Sequence, residues 1–309
     1  MGRASTCNIC DGTLAPRFAS VVDPQTREVF AIDVCTGCGL GHTTPQPEDL
    51  GRYYGATYHG CRHGFTARYC MARRLRLVRA AAGAASGRRL LDVGCGDGSF
   101  LTGARDRAGW AVAGTEMNPA GARARGLDVR SSIDEIAALG PFGCITLWHS
   151  LEHLRDPRAA LTALGKLLTP DGVLIAAVPD AGGMQARTFG ARWFHLDVPR
   201  HLFHFGRPSL RLALETAGLS PVRHWHQELE YDLFGWSQSA LNAVMPSPNV
   251  FFNQLTGKPV SSGRVERGAN MLLGAALTAL SVPAVPAGTL LGRGGTLIMA
   301  ARLYSSDAR

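Results

Sequence analysis

The stretch Leu90-Leu91-Asp92-Val93-Gly94-Cys95-Gly96-Asp97-Gly98-Ser99-Phe100 decides the fold of this chain. An apolar run leads into a turn with the spacing G-x-G-x-G, and a helical pattern follows. A strand, a glycine-rich loop and a helix in this order bring backbone N–H groups close to a ligand. A dinucleotide-binding turn would have its third glycine at position 99, where this chain has Ser99. The stretch therefore predicts a nucleotide-type ligand other than NAD.

An acidic residue at the end of the next apolar run is the second signal. The run that begins at Trp110 ends at Glu116, 18 residues after Gly98. A carboxylate in this place suits the two hydroxyls of a ribose. Together, the loop and Glu116 resemble motif I and the acidic loop of class I S-adenosylmethionine (SAM) dependent methyltransferases. The resemblance implies that SAM is the ligand.

A second segment that would face this ligand follows an apolar strand ending at His149. The string Leu151-Glu152-His153 resembles the L-E-H motif of ubiquinone-type O-methyltransferases. Gly143, at the start of the strand, stands where those enzymes usually have Asp. The resemblance implies that Trp148, His149 and Ser150 lie along the methionine part of SAM.

The resemblance also implies a role for each residue around the glycine loop. Asp92 would order the loop, the three glycines would cradle the methionine part, and Glu116 would hold the ribose. Residues 131–133, after the third strand, are candidates for the adenine contact. The predicted cofactor-binding residues are Asp92, Gly94, Cys95, Gly96, Gly98, Glu116, Met117, Ser132, Trp148 and His149.

The segment after this strand also has the spacing H-x-x-E-H, formed by His149, Glu152 and His153. Two imidazoles and a carboxylate can bind a divalent ion. In one interpretation Glu152, His153 and a later histidine hold a second divalent metal beside the methyl donor. In the other, which we favour, Glu152 and His153 shape the pocket through hydrogen bonds.

A loop rich in histidine and aromatic residues, residues 193–205, follows the last central strand. Loops at the carboxyl edge of open α/β sheets bind ligands. A histidine here can take a proton from an acceptor hydroxyl. The string Asp197 to Leu202 also resembles the zinc-ribbon methyltransferase group. The predicted catalytic residues are His201, His195 and His153.

Two C-x-x-C pairs, Cys7/Cys10 and Cys35/Cys38, stand near the N-terminus with 24 residues between them. Four thiolates on two knuckles joined by a hairpin form a closed, tetrahedral zinc site without an open position for chemistry. The spacing therefore predicts a structural zinc ribbon, in preference to redox cysteines. The Pro45-x-Pro47 string and the pair Tyr53-Tyr54 resemble the ribbon fused ahead of many bacterial SAM methyltransferases.

From Arg89 onward, strand-like and helix-like runs alternate, which predicts a parallel sheet with helices on both faces. The last two strand candidates, 221–226 and 296–303, should pair. We predict an α/β fold: a Rossmann-like, seven-stranded methyltransferase sheet with a small N-terminal zinc ribbon and a C-terminal helical insertion. The predicted domains are a zinc ribbon (1–48), a helical linker (49–88), the SAM-binding domain (89–227 and 294–309) and an apolar helical insertion (228–293).

The insertion contains a run of 21 residues without charge, from Met271 to Leu291. Its length alone permits a membrane span, which needs about 20 residues. Two interpretations remain open. The run is either a protein-buried lid or homodimer contact, or a segment around 270–292 that lies on a membrane surface with Arg264, Arg267 and Arg293 near the headgroups.

Length and charge set the remaining bounds. With 309 residues, 46% of them apolar, the chain is long enough for one α/β domain and a smaller one. Residues 50–91 hold nine Arg and no Asp or Glu. We favour a solvated helix face over an anionic partner for this block, and we do not expect nucleic acid to bind. The N-terminus lacks the apolar core of a signal peptide, so we expect a cytoplasmic protein, or one peripheral to the membrane.

The function that these signals predict is methyl transfer from SAM. We expect an oxygen acceptor on a small-molecule, sugar or lipid-linked compound, because the L-E-H likeness is to O-methyltransferases. One alternative is carbon methylation of a nucleotide sugar, since those enzymes also carry an N-terminal cysteine-rich zinc unit. The other is a non-catalytic protein that binds SAM or nucleic acid.

Overall fold

The structure is a computed structural model that describes residues 6–54, 67–83, 87–260 and 262–304. The chain divides into two compact units. The first, called the ribbon unit, comprises Met1–Ala67, Pro179–Pro208 and Trp225–Leu297. The second, called the sheet unit, comprises Arg68–Val178, Ser209–His224 and Ile298–Arg309.

Strands and helices alternate through most of the described residues. The strands are β1 (Leu14–Val22), β2 (Val29–Cys35), β3 (Gly41–Thr44), β4 (Arg89–Val93), β5 (Ala111–Thr115), β6 (Asp128–Arg130), β7 (Phe142–Trp148), β8 (Leu168–Pro179), β9 (Phe203–His204), β10 (Leu219–His226) and β11 (Thr296–Leu303). The α-helices are α1 (Ala67–Ala82), α2 (Ser99–Ala108), α3 (Ala120–Arg123), α4 (Ile133–Ile136), α5 (Pro157–Lys166), α6 (Met184–Phe189), α7 (Arg207–Thr216), α8 (Leu229–Val244), α9 (Val250–Thr256), α10 (Arg264–Ser281) and α11 (Ala284–Leu290).

The sheet unit is built on a seven-stranded sheet with the order β10-β11-β8-β7-β4-β5-β6. Strand β4 runs parallel to β5 and β7, and the outer neighbours β6 and β8 continue the parallel arrangement. The carboxyl ends of these five strands therefore lie at one edge of the sheet. The final strand, β11, lies between β8 and β10, so the two last strands pair as expected. The predicted fold class is confirmed.

Every residue of β7 is buried, which explains why its sequence reads as a continuous apolar run. Helix α5 begins with the expected cap, because the Asp156 side chain accepts a hydrogen bond from the N–H of Ala159 at 2.8 Å and Pro157 occupies the first turn. The arginine-rich helix predicted over 65–85 forms as α1. Its Leu75 and Val78 are buried in the core of the sheet unit.

The ribbon unit contains a four-stranded sheet with the order β1-β2-β3-β9. The β1–β2 hairpin turns at Asp23, whose carboxylate accepts hydrogen bonds from the N–H of Thr26 at 3.0 Å and from its hydroxyl at 2.7 Å. Strand β9 comes from the predicted acceptor loop and pairs with β3 through Gly41↔His204 and His42↔Phe203. Sequence patterns did not predict this pairing, because a two-residue strand has no periodicity.

The insertion between β10 and β11 is helical, as predicted, and consists of α8 to α11. Helix α10 packs tightly on α9, since a side chain at Gly274 would come within 2.4 Å of the Phe251 ring. Among the described residues, no single helix is long and apolar enough to cross a membrane, whereas α10 and α11 meet this criterion together as a pair bent by 41°.

Candidate functional site

The glycine loop joins the carboxyl ends of three neighbouring strands. The N–H groups of Gly94 and Cys95 both donate to the carbonyl of Thr115, the last residue of β5, at 2.8 and 2.9 Å. The Ser150 hydroxyl, just after β7, donates to the carbonyl of Val93 at 2.6 Å. Gly94 has a φ of 74°, and a Cβ there would lie 2.6 Å from the Cβ of Ser150. Only glycine allows the turn this close approach.

Glu116 lies beside the loop, as the sequence predicted. Its carboxylate accepts a hydrogen bond from the N–H of Gly96 at 2.9 Å. The N–H of Asn118 also points to this carboxylate, at 3.4 Å. The next residue, Met117, is 70% exposed. Glu116 is thus held at the loop by backbone donors, with an exposed apolar neighbour.

Asp92, two residues before the loop, carries a buried carboxyl group. The Thr146 hydroxyl donates to its carboxylate at 2.6 Å. Burial raises the pKa of Asp92 to about 7, although Thr146 and Arg74 lower it, and Glu116 adds to the increase. Asp92 thus links β4 to β7 through Thr146, and its role in ordering the loop stays a prediction.

Trp148 forms an apolar wall at the end of β7. It packs edge-to-face on Phe100 with 5.7 Å between the ring centroids, and the Arg74 guanidinium lies 4.9 Å above its ring. Its indole N–H is buried and has no hydrogen-bond partner among the described residues. Buried N–H groups usually have a partner. A ligand that lies along Trp148 could therefore accept a hydrogen bond from this indole N–H.

The segment after Trp148 turns sharply. His149 has a φ of 54°, which is uncommon for a residue other than glycine and is often found at functional sites. Its Nδ1 lies 3.7 Å from Oε1 of Glu152. Glu152 is buried and His153 is half-buried, both in a short 3₁₀ turn. The second divalent metal proposed for this segment stays a prediction.

Ser132 acts as a helix cap. Its hydroxyl accepts a hydrogen bond from the N–H of Glu135 at 3.2 Å, at the start of α4. The Glu135 carboxylate in turn accepts the N–H of Ser131 at 3.2 Å. This reciprocal capping fixes the turn after β6, where the sequence placed the adenine contact.

In the ribbon unit, His195 and His201 are both buried and are joined through the backbone. Nδ1 of His201 lies 2.8 Å from the carbonyl oxygen of His195. Since a carbonyl only accepts, Nδ1 carries the proton, and the lone pair of the neutral ring is then on Nε2. Nε2 of His195 likewise donates to the carbonyl of Tyr231 at 2.9 Å. His153, the third predicted catalytic residue, belongs to the sheet unit.

Arg200 anchors this loop to the β1–β2 hairpin. Its guanidinium is 1% exposed and lies 2.7 Å from Asp23 and 2.8 Å from Asp197. It also donates to the carbonyls of Tyr53 and Val198. A buried charge with this many partners holds the loop in place and is a positioning residue. The sequence placed Arg200 among the candidate functional residues of the loop and did not indicate its contact with Asp23.

The four cysteines of the two C-x-x-C pairs come together. Their sulfurs all lie within 4.8 Å of one another, with Cys7–Cys38 at 3.6 Å and Cys10–Cys35 at 3.4 Å. Sulfurs bound to one zinc at about 2.3 Å in a tetrahedron are separated by similar distances. A Cβ at Gly12 would lie 3.0 Å from the Cys35 sulfur, so glycine lets the chain pass close to the cluster.

Two further side-chain arrangements were not predicted from the sequence. One is Arg74, which nothing in the sequence distinguishes from the other arginines of residues 50–91. The other is a buried pair in the ribbon unit, Asp180 and His226, whose Oδ2 and Nδ1 lie 3.7 Å apart. Burial raises the pKa of Asp180 to about 6, against the opposite effects of the Gly182 N–H and nearby arginines. Asp180 directly follows β8 and His226 is the last residue of β10. These positions at strand ends were the sequence signal that could have pointed to the pair.

Comparison with known proteins gives a consistent result. A family model described as a methyltransferase domain matches residues 62–224, more than half of the chain. Ubiquinone biosynthesis O-methyltransferase from Bordetella avium is 31% identical over 166 residues, which cover 48% of this chain and 68% of that protein. The protein of the same name from Xanthomonas oryzae is 33% identical over 134 residues, covering 39% of this chain and 56% of that protein.

Two solved structures match this chain at low sequence identity. A SAM dependent methyltransferase from Archaeoglobus fulgidus has a TM-score of 0.46 at 18% identity and covers 82% of this chain and 100% of that one. A cyclopropane synthase from Mycobacterium tuberculosis has a TM-score of 0.46 at 17% identity and covers 78% of this chain and 87% of that one. The family to which this chain belongs is therefore assigned from the family model and the sequence relatives.

The buried Asp92 predicts a pH dependence of stability in the absence of ligand. Its pKa in the folded protein, about 7, lies above its ordinary value of 3.8, so this group destabilises the fold progressively as the pH rises between those values. Asp92→Asn removes that titration. We expect the free energy of unfolding of Asp92→Asn to rise relative to that of the natural protein, by up to about 1.4 kcal/mol per pH unit between these two pKa values.

Chemical denaturation at pH 5, 6, 7 and 8 measures this difference. Asp106→Asn is the control, because Arg105 lowers the pKa of the exposed Asp106 and its titration lies below this range. The control should follow the natural protein at every pH. If the free energy of unfolding of Asp92→Asn changes with pH in parallel with that of the natural protein, the raised pKa of Asp92 is contradicted.

Proposed function

The chain belongs to the class I SAM-dependent methyltransferases, and on that premise we propose that it transfers a methyl group to a hydroxyl oxygen of a small-molecule, sugar or lipid-linked acceptor. The observation that carries the proposal is the match to proteins named ubiquinone biosynthesis O-methyltransferase, together with the buried histidine loop. The sequence relatives are enzymes, which favours catalysis over the non-catalytic alternative.

We propose that SAM lies along the glycine loop, between Glu116 and Trp148. The donor set suits it, because the loop offers backbone N–H groups, Glu116 offers a carboxylate for hydroxyls, and the Trp148 indole N–H has no partner among the described residues. When bound, SAM supplies an electrophilic methyl group on a sulfonium centre. The protein's contribution is to hold the donor and orient the acceptor for in-line attack.

We propose His201 as the general base for the acceptor hydroxyl. Its Nδ1–H donates to the carbonyl of His195, so its orientation is fixed and its basic atom is Nε2. The Asp197 carboxylate lies 4.0 Å from Nε2 and would stabilise the imidazolium that forms. His195 is the second candidate, since its Nε2 is engaged with Tyr231 and its basic atom is Nδ1.

We propose that Cys7, Cys10, Cys35 and Cys38 hold a structural zinc ion. A closed site of four thiolates contributes folding energy and takes no part in methyl transfer. The N–H groups of Ile9 and Cys38 each lie 3.5 Å from a cluster sulfur, as donors that stabilise thiolates. The ion would fix the hairpin that Arg200 clamps to the histidine loop.

The cofactor assignment predicts that Glu116→Ala weakens SAM binding about 10-fold to 100-fold, the cost of about 1.5–3 kcal/mol for a hydrogen bond to a charged group. Isothermal titration calorimetry on the full chain measures the affinity. Glu215→Ala is the matched control, since Glu215 is a partly buried glutamate paired to Arg211 on α7. Equal affinity in Glu116→Ala, or no SAM binding by the natural protein at millimolar concentration, would overturn the assignment.

The base assignment is tested with His201→Asn. Asparagine can keep the N–H that donates to the His195 carbonyl while removing Nε2, so the fold should be retained. We expect kcat to fall about 10²-fold to 10⁴-fold, the usual contribution of general-base catalysis. Turnover is measured as S-adenosylhomocysteine release with an acceptor chosen from a panel of phenols, sugars and lipid-linked alcohols.

His195→Gln is the companion variant, because glutamine can keep the donor to Tyr231. Loss of turnover in this variant alone would move the base to His195. Nuclear magnetic resonance of the product distinguishes an O-methyl from a C-methyl group, and a C-methyl product would favour the carbon-methylating alternative.

The metal assignment predicts one zinc ion per chain by elemental analysis. Cys38→Ser should lose the ion and lower the melting temperature, because the remaining thiolates cannot close the site. Cys144→Ala, at a buried cysteine of β7 outside the cluster, should keep the ion. A natural protein that is purified without chelators and contains no zinc, and that takes up none when titrated, would contradict the assignment.

A further inference from the structure

The outer surface of α10 and α11 is apolar without interruption. Between residues 268 and 292, the exposed residues are Gly268, Leu272, Leu273, Ala275, Ala276, Ala279, Leu280, Val282, Pro283, Pro286, Leu290 and Leu291. Leu272, Leu280 and Leu290 are 78%, 76% and 87% exposed. We call this set of twelve residues the outer face. Water-soluble monomers rarely expose continuous apolar patches of this kind without a function.

The orientation of the outer face is fixed by packing on the inner side of the same helices. Gly274 lies against Phe251 of α9, and Asn270 is fully buried. In α11, Val285 and Gly288 are buried. The leucines are therefore exposed because the opposite side of each helix is occupied by the protein.

The hydroxyl groups of this stretch are satisfied within their own helices. Thr278 donates to the carbonyl of Gly274 at 2.7 Å, Ser281 to that of Leu277 at 2.7 Å, and Thr289 to that of Val285 at 3.0 Å. An apolar environment requires internal partners of this kind, because it offers none of its own. The outer face thus presents no side chain that needs an external hydrogen bond.

These features fit a lipid surface better than a second protein. Protein interfaces carry about one hydrogen bond per 100–200 Å² and are enriched in aromatic residues. The outer face contains neither polar nor aromatic side chains. A layer of acyl chains requires neither, since it gains from the burial of apolar area alone.

Basic residues stand at both ends of the outer face. Arg264 and Arg267 lie in the first turn of α10, and Arg293 stands three residues after the end of α11. Among the described residues, none of these guanidinium groups forms an ion pair with the protein. The acidic residue nearby, Glu266, is engaged by Ser247, whose N–H donates to it at 2.9 Å. The ends of the outer face therefore complement anionic headgroups.

We propose that α10 and α11 form a membrane-docking surface that lies in the plane of an anionic bilayer, with the outer face among the acyl chains and the three arginines at the headgroups. The exposure of its leucines argues against the protein-buried lid, and the lack of polar and aromatic side chains on the outer face favours the membrane surface over the homodimer contact. Docking is independent of the proposed acceptor chemistry.

The insertion also contacts the histidine loop. Phe194 packs on Phe252 of α9 with 4.8 Å between the ring centroids, and the N–H of Phe194 donates to the Ser239 hydroxyl of α8 at 2.8 Å. Docking through α10 and α11 would hold the loop that carries His201 near the bilayer, with α8 and α9 between the loop and the docked helices. This consequence rests on the proposed function and favours the lipid-linked class of acceptor.

Flotation of the full chain with phosphatidylcholine vesicles, with and without phosphatidylglycerol, tests the docking surface. The natural protein should float with the anionic vesicles. Leu272→Glu/Leu280→Glu should reduce the bound fraction at least about tenfold, because two leucines leave the acyl layer and two negative charges face the headgroups. Val29→Glu/Val222→Glu is the matched control, since these valines are exposed by 57% and 55% outside the insertion.

Neutralising the three arginines to glutamine should lower binding to anionic vesicles and leave binding to neutral vesicles unchanged. Circular dichroism melting should be nearly the same for every variant, because the substituted residues are exposed or, at Arg267, half-buried. A natural protein that stays at the bottom of the gradient would overturn the proposal, as would a control double variant that loses binding equally. A concentration-dependent dimer in sedimentation velocity that Leu272→Glu/Leu280→Glu dissociates, without vesicle binding, would assign the surface to a second copy of the chain instead.

Discussion

The close approach of Gly94 to Ser150 is the constraint on which the glycine loop and its surroundings depend. There is no room for a Cβ between the two residues, so the turn after β4 lies directly against the segment after β7. The same turn is tied to the end of β5 through two hydrogen bonds to one carbonyl. The carboxyl ends of these three parallel strands therefore meet at one place. Glu116 and Trp148 lie at this place because Glu116 directly follows β5 and Trp148 is the last residue of β7.

A second constraint, in the ribbon unit, holds the histidine loop. Arg200 is buried and pairs with carboxylates from the hairpin turn and from its own loop. Removing such a charge from water costs several kcal/mol, which is about as much as its attraction to the two carboxylates gains. The ion pairs of Arg200 therefore contribute mainly by fixing the position of the loop. The Thr43 hydroxyl adds to this by donating to the His201 carbonyl at 2.6 Å. The ribbon and the loop are therefore one folded body, and a metal ion in the ribbon would stabilise the loop indirectly.

The sequence predicted features that depend on local patterns. The glycine spacing, the acidic residue after β5, the alternation of strands and helices and the two cysteine pairs are all local, and the fold they predicted is the fold observed. Arg200 and Asp23 are 177 residues apart, and no local pattern indicates that they meet. Strand β9 is too short to have a period, and Arg74 is one of several arginines in its helix. The apolar run after Met271 was visible, but only its packing on α9 shows which side of α10 remains exposed.

Hydrogen–deuterium exchange of the full chain, with and without SAM, measures whether the glycine loop holds the methyl donor. We expect SAM to slow exchange at the amides of residues 94–99 and 116–118, with little change at the cysteine cluster. Unchanged exchange at the glycine loop in the presence of saturating SAM, or protection confined to other parts of the chain, would contradict this role of the loop.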